Sequence, residues 1–266
     1  MWRGLYTAAT GMMTQMNRTD VIANNLANAN TTGFKRSEAV DSEFEPMLLR
    51  RVHDDIERNP ITDIKGFHLD SPPPAVGVLG LGAYTAEVAN DFAQGAFETT
   101  GNQYDLGISG NGFFAVQTPQ GVRYTRNGNF YRAVNGNLVT SNGQNVLDTR
   151  GRVINIPADA VQITVGSKGE LRAGGVNIAT LQFVEFNDRR AVLHQGDSLF
   201  YPQEGAQPRA ATGEIQQGVL ERSNINVVSE MVDLINNYRI YEANSKAVVS
   251  QDSLLDKAVN DVGRLS

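Results

Sequence analysis

From Met231 to Val262 the chain keeps a helical spacing without a break. Met231, Leu234, Tyr238, Tyr241, Ser245, Val248, Asp252, Leu255, Val259 and Val262 follow one another at steps of three or four, and eight of these ten are apolar. Such a stripe is the face a helix turns toward a partner. A helix over 224–262 would be nearly 60 Å long at ~1.5 Å per residue, well beyond the ~11–12-residue mean. Val228, Val232, Ile235, Ala243 and Ala247 widen the stripe past a two-helix seam. A chain with this helix must cover it on more than one side.

The other end repeats the pattern. Leu5, Ala9, Met12, Met16, Ala23 and Leu26 alternate steps of four and three, with Thr19 as the polar member, and 3–30 lacks proline. Thr31-Thr32-Gly33 stops this helix, with Gly33 as a left-handed C-terminal residue. Ser223 or Asn224 is the expected N-cap of the second helix. Asp20, Asn24 and Asn28 share one face of the first, with Asn17 and Thr31 beside it. Asparagine is a poor choice for a helix interior. Buried amides must be hydrogen-bonded, so in a packed wall this face would fix register. The alternative is a solvated face near a fraying helix end.

Between the helices the sequence reads as β. Alternation shows in "FFAVQT" and in "GVRYTRNGNFYRAVNGNLVTSNGQNVL". Asn127-Gly128, Asn135-Gly136 and Asn142-Gly143 punctuate it as hairpin turns. Further strands are expected at 161–165, 170–173 and 178–186. A connector over 37–84 carries Asn59-Pro60, Pro72-Pro73-Pro74 and a Gly-rich run, with a short helix expected over 43–53. Four segments follow: an N-terminal helix, 1–36; the connector, 37–84; an all-β antiparallel domain, 85–222; and a C-terminal helix, 223–266. The expected fold class is a mainly β central domain with long terminal α-helices that pair and pack as a coiled-coil-like core in a polymer. Identical chains in contacts that do not close make a helical filament.

Chemistry finds little purchase. The chain has no cysteine, which excludes disulfides and thiolate sites. Net charge is −6, without the basic footprint of a nucleic-acid binder. The start, MWRGLYTAATGMMTQM, lacks the uninterrupted apolar region of a cleaved secretory signal, and no stretch approaches the ~18 apolar residues of a membrane span. His53, His68 and His194 lack metal-ligand spacing partners. "ISGNGFF" lacks the third glycine and the helix of a dinucleotide loop. "HQGDS" sets His, Asp and Ser side by side, whereas triads converge from separate segments. Tyr124, Arg126, Phe130 and Tyr131 read as cross-strand pairs or as a ligand face. No enzyme, catalytic residue, metal or cofactor is expected. A carbohydrate-processing β protein would need a carboxylate pair that the sequence cannot place. The other-class alternative is a stalked β-domain binding or adhesin-like surface protein.

Three collinear motifs carry a family resemblance. "GLYTAATGMMTQMNRTDVIANNLANANTTGFKR", "DLGISGNGFFAVQTPQGVRYTRNGNF" and "SNINVVSEMVDLINNYRIYEANSKAVVSQDSLLDKAV" resemble the N-terminal, β-domain and C-terminal signatures of the flagellar axial proteins, the rod and hook subunits of the bacterial basal body. The length leaves no room for the extra domain of a hook protein. "TTGFKR" and "YEANSKAV" look like the distal-rod type, "LLDKAVNDVGRL" and "EPMLLRRVHDD" like the proximal-rod type. The resemblance implies terminal helices lining a hollow, torque-transmitting shaft with the β domain outside. It implies export through the flagellar type III apparatus without signal cleavage, and a place in the rod outside the inner membrane. Partners would be the chain itself and other rod and hook proteins, with no nucleic acid, small-molecule substrate or membrane insertion. Expected interface residues are Leu5, Met12, Met16, Asn24, Leu26 and Asn28 on the first helix. On the second they are Met231, Leu234, Tyr238, Tyr241, Val248 and Leu255.

Overall fold

The computed structural model describes residues 2–50, 63–64, 67–68, 75–160, 162–196 and 198–262. It is mainly β with a long helix toward each end. Helix α1 is Trp2–Ala27 and helix α2 is Val227–Lys257, continued by a π-helical turn, Ala258–Val262. Asn226, rather than Ser223 or Asn224, caps α2. Its Oδ1 accepts from the N–H groups of Val228 (3.0 Å) and Ser229 (3.2 Å). Asn224 is occupied elsewhere, accepting from Arg36 N–H and donating to Asp91 O.

The chain divides into two compact units: Asp20–Glu38 with Val88–Ile235, and Met1–Thr19 with Ala39–Glu87 and Asn236–Ser266. The first, the β unit, is built on an antiparallel sheet. Its strands run in the order Phe130–Arg132, Leu138–Thr140, Asn145–Val146, Phe113–Thr118, Gly121–Thr125, Leu199–Pro202 and Val192–Gly196. Phe113–Thr118 sits at its centre. Phe114 and Val116 enter one core with Leu106, Phe130 and Leu181, while Phe113 and Ala115 enter a second with Tyr124, Val184 and Phe200. Both faces are covered along 113–116, which corrects the alternation expected for "FFAVQT": all four of these residues are buried.

Two of the three Asn-Gly pairs turn hairpins. Gly136 (φ +85°) and Gly143 (φ +78°) close turns between paired strands, their N–H groups donating to Ala133 O and Thr140 O, each at 2.9 Å. Gly128 does something else. It links strands that are not partners, and a Cβ there would lie 1.7 Å from Leu106 O. Its own carbonyl accepts from Leu106 N–H at 3.0 Å. Gly128→Ala is therefore expected to force the backbones apart and cost about 3 kcal/mol or more, read as a lower urea midpoint at an unchanged slope.

The expected strand over 178–186 is broken in two. Val176–Thr180 joins Ile163–Val165 and Glu170–Ala173 in a three-stranded sheet, whereas Phe183–Phe186 joins the large sheet. The break is stitched by Leu181 N–H to Gly169 O (2.8 Å) and Gln182 N–H to Leu147 O (2.9 Å).

The second unit contains an antiparallel ribbon, Met47–Arg50 against Ala75–Leu79. This corrects the helix expected over 43–53 as far as residue 50. Pro46 disfavours helical backbone at Glu45, and Met47–Arg50 finds cross-strand partners instead. Residues 51–53, Asn59-Pro60 and Pro72–Pro74 lie outside the described residues.

Candidate functional site

A buried polar cluster of the β unit lies where the chain leaves α1 and enters α2. The asparagines of α1 end the helix. Asn28 N–H donates to Asn24 O and Asn25 O, Asn28 Nδ2 to Asn24 O (2.9 Å), and Thr31 Oγ1 to Asn28 Oδ1 (3.2 Å). Gly33 then takes φ +67°, its N–H on Glu221 O at 2.8 Å. A Cβ at Gly33 would fall 2.4 Å from Asn127 N, so only glycine fits.

Asn25 is fully buried and acts like one rung of a sheet. Its Nδ2 donates to Ser37 O (2.7 Å) and its Oδ1 accepts from Ser37 N–H (2.9 Å). The same Nδ2 lies 3.3 Å from Glu230 Oε2, in the first turn of α2. Arg36 Nε also donates to Glu230. That hydrogen bond, against the opposing effect of burial, raises the Arg36 pKa.

Lys35, next along the chain, points the other way into a site with no exposed side-chain surface. Its Nζ donates to Glu221 Oε1 (2.6 Å) and Ala93 O (2.7 Å). Glu221 also accepts from Gly95 N–H (3.0 Å) and from Arg126 at 3.1 Å. Burial pushes the Lys35 pKa down, the Arg126 charge adds to this, and Glu221 opposes it. Two cations thus share one carboxylate in the interior. The cluster ties the end of α1, residues 91–95, Arg126 and the strand Val219–Glu221 into one piece.

The other residues singled out from the sequence do not join it as a ligand site. Arg126 Nη1 donates to Gly110 O (2.9 Å) and Gly112 O (3.0 Å), so the "ISGNGFF" loop aims carbonyls at a cation. A phosphate-binding loop aims N–H groups at an anion. Tyr124 and Phe130 are buried in the two separate cores, Arg126 is in the ion cluster and Tyr131 is exposed, so these four form no common face. The His194 ring stacks edge-on between Phe34 (5.5 Å) and Phe200 (5.2 Å). His53 and the side chain of His68 lie outside the described residues. Among the described residues no group of three or more His, Asp or Glu side chains could hold a metal ion, and no helix is long and apolar enough to cross a membrane.

Apart from Asn24 and Asn28, which belong to the turn that ends α1, the expected interface residues are spread along the helices. Leu5, Met12, Leu26, Asn28, Leu234, Tyr241, Val248 and Leu255 are half-buried in the single chain. Met16 (59% exposed), Met231 (47%), Tyr238 (56%) and Asn24 face outward. Asn24 lines a groove of about 500 Å³ with Asp20, Val21, Asn90 and Tyr201. Its neighbour Asn25 is the amide that bonds within the chain, which leaves the Asn24 interface expectation as it stands. Lys35, Glu221 and Glu230 carried no expectation from the sequence, and Arg126 was expected in a cross-strand pair or ligand face rather than in an ion cluster. Their one signal in the sequence was a basic pair directly after the helix stop.

These contacts make a nicked chain testable. With a specific protease site placed after Ile56 and cut, the N-terminal piece is expected to co-elute with the remainder in gel filtration. Lys35, Arg36, Gly33 and Asn25 all bond to partners beyond residue 88 or to their own turn. Separation of the pieces without denaturant would show that this cluster does not hold.

Comparison with known proteins follows the same three zones. Residues 5–35 match the family model described as flagella basal body rod protein. Residues 107–173 match the flagellar hook protein FlgE/F/G D1 domain, and 216–261 the flagellar basal body rod FlgEFG protein C-terminal model. The flagellar basal-body rod protein FlgF of Caulobacter vibrioides is 34% identical over the full length of both chains. The rod protein FlgG of Agrobacterium fabrum is 36% identical, over 95% of this chain and 96% of its own. That of Bacillus subtilis is 32% identical, over 98% and 99%.

Proposed function

The chain belongs to the flagellar basal-body rod protein family and is a structural subunit of the rod; from that premise we propose that it polymerises with itself and with other rod and hook proteins into a hollow, torque-transmitting shaft. Its location is the flagellar basal body. Within it, the terminal helices pack as a coiled-coil-like core and the β unit forms the outer layer. The subunit reaches the periplasmic side through the flagellar type III export apparatus, without signal cleavage. No catalysis or cofactor enters this reading.

One observation carries it. Met16, Met231, Tyr238 and Val249 are exposed on the two long helices, where a lone chain would not leave large apolar side chains in such a row. Copies of the same helices, each with the same unfilled stripe, are the natural cover. Leu5, Met12, Asn24, Leu26, Asn28, Leu234, Tyr241, Val248 and Leu255 complete the proposed interface. Relatives named FlgF and FlgG both match along nearly the whole chain, so the similarity identifies the rod and not a position along it. The full-length match takes the place of the stalked-adhesin alternative.

The test is purification of hook–basal bodies from cells carrying an epitope-tagged chain. The tag is expected in the rod after the filament and hook are stripped. Hook–basal bodies that assemble normally in cells lacking the chain would overturn the reading.

A further inference from the structure

The contacts between α1 and α2 invert the usual arrangement of a helix pair. A coiled-coil seam buries apolar residues and leaves polar ones outside. Here Asn237 is buried, and its Nδ2 donates to Gln15 O (2.7 Å) and Thr19 Oγ1 (2.5 Å). Asn244 lies over Gly11, where a Cβ would meet its Nδ2 at 3.0 Å. Gln251 lies over Gly4, where a Cβ would meet its side-chain amide at 3.1 Å. As the number rises on α2 it falls on α1, so the helices run antiparallel. Asn237, Asn244 and Gln251 stand seven residues apart. In the β unit, the position seven residues before Asn237 is Glu230, bonded to Asn25. Meanwhile Tyr238, Ile240, Val249 and Leu254 are exposed on the same helix.

We propose that Asn237, Asn244 and Gln251 form a polar ladder that sets the register of α2 on α1 of the same chain, and so reserves the apolar sides of both helices for other copies. This rests on the rod-subunit reading. An amide seam contributes little apolar burial, but it penalises the wrong alignment. A slip of three or four residues would bring Tyr241 and Val248 onto the α1 face that now receives amides. It would also take the Asn237 amide away from Gln15 O and Thr19 Oγ1, leaving a buried polar group without its partners. The apolar stripe cannot discriminate in this way, because its residues recur at the same spacing along the whole helix.

The decisive variant is Asn237→Leu/Asn244→Leu, compared with Asn244→Gln, in cells lacking the parental chain. Gln251 over Gly4 shows that a glutamine fits this seam. Recovery of the double-leucine variant in hook–basal bodies is expected to fall roughly tenfold or more, the factor set by ~1.4 kcal/mol of lost discrimination. In sedimentation the purified variant is expected to self-associate, having gained a third apolar face. Asn244→Gln is expected to incorporate like the parent, and the β unit of every variant to melt at the parental temperature. Parental incorporation of the double-leucine variant would overturn the ladder. So would a fall shared equally by Asn244→Gln, or one accompanied by a lower β-unit melting temperature, since either would mean packing rather than register. Absence of the parental chain itself from hook–basal bodies would instead overturn the rod reading.

Discussion

Glu221→Ala is expected to destabilise the β unit by about 3–5 kcal/mol, the cost of leaving buried charge uncompensated. The carboxylate has no exposed surface, and it receives Lys35 at 2.6 Å, Arg126 at 3.1 Å and Gly95 N–H at 3.0 Å. Removing it strands two cations and one backbone donor together. For a unit of this size the melting temperature should fall on the order of 10 °C. Calorimetry of the purified variant measures this directly. A fall of only a degree or two would mean that water reaches the cations and that the junction is looser than its geometry.

The cluster is not symmetric, and Lys35 provides the contrast. Glu221 with Arg126 alone is a balanced pair, and Lys35 is the surplus cation. Lys35→Met keeps the volume, removes the surplus charge and leaves Ala93 O with a second donor, Asn224 Nδ2 at 3.3 Å. It is expected to cost far less than Glu221→Ala. The pH dependence follows from the lowered Lys35 pKa. Between the folded pKa and the ordinary lysine value the unfolded chain binds more protons, so stability rises with pH across that alkaline window. The penalty on the charged form is fully present below the window and gone above it. Lys35→Met should remove this rise, which urea midpoints taken across the window would show.

Periodicity made the helices legible, and the structure keeps both of them close to the expected bounds. The Asn-Gly turns were legible where the pair sits between two adjacent paired strands, at Gly136 and Gly143. Gly128 was misread because its constraint is a backbone approach from Leu106, twenty-two positions earlier in the chain, which no local pattern reports. The break at Leu181 was hidden for a similar reason, since its partners come from Gly169 and Leu147. The junction was invisible in a different way. Lys35 and Arg36 look like a solvated basic pair, and only tertiary structure sends one inward to Glu221 and the other to Glu230. The amides posed the finest problem. Helical spacing singles out Asn24 and Asn28 as a face, but the end of α1 turns Asn25 to the interior and leaves Asn24 outside. Polar residues every seven positions from Glu230 to Gln251 were present in the sequence as a pattern. They were overshadowed by the apolar stripe one residue along, because apolar spacing is the stronger expectation for a helix seam.

That stripe supplies the other large effect. Tyr238→Asp is expected to leave the single chain nearly unchanged and to abolish incorporation into the rod. Tyr238 is more than half exposed, so its replacement should alter the stability of the free subunit by no more than about 0.5 kcal/mol. In the proposed polymer the same position would be covered by a neighbouring helix. A carboxylate there would be desolvated without a partner, at a cost of several kcal/mol, and every copy would carry the defect. Tyr238→Phe, which keeps the ring, should assemble like the parent. Leu26→Asp and Leu255→Asp should also block assembly, but both side chains are already half-buried within the chain, so fold and interface are mixed in their effects. Tyr238 separates the two. Motility and the content of purified hook–basal bodies read assembly, while circular dichroism of the monomer reads the fold. A motile strain carrying Tyr238→Asp at normal levels in its rods would place this side of α2 against solvent, and the apolar stripe would then need another occupant.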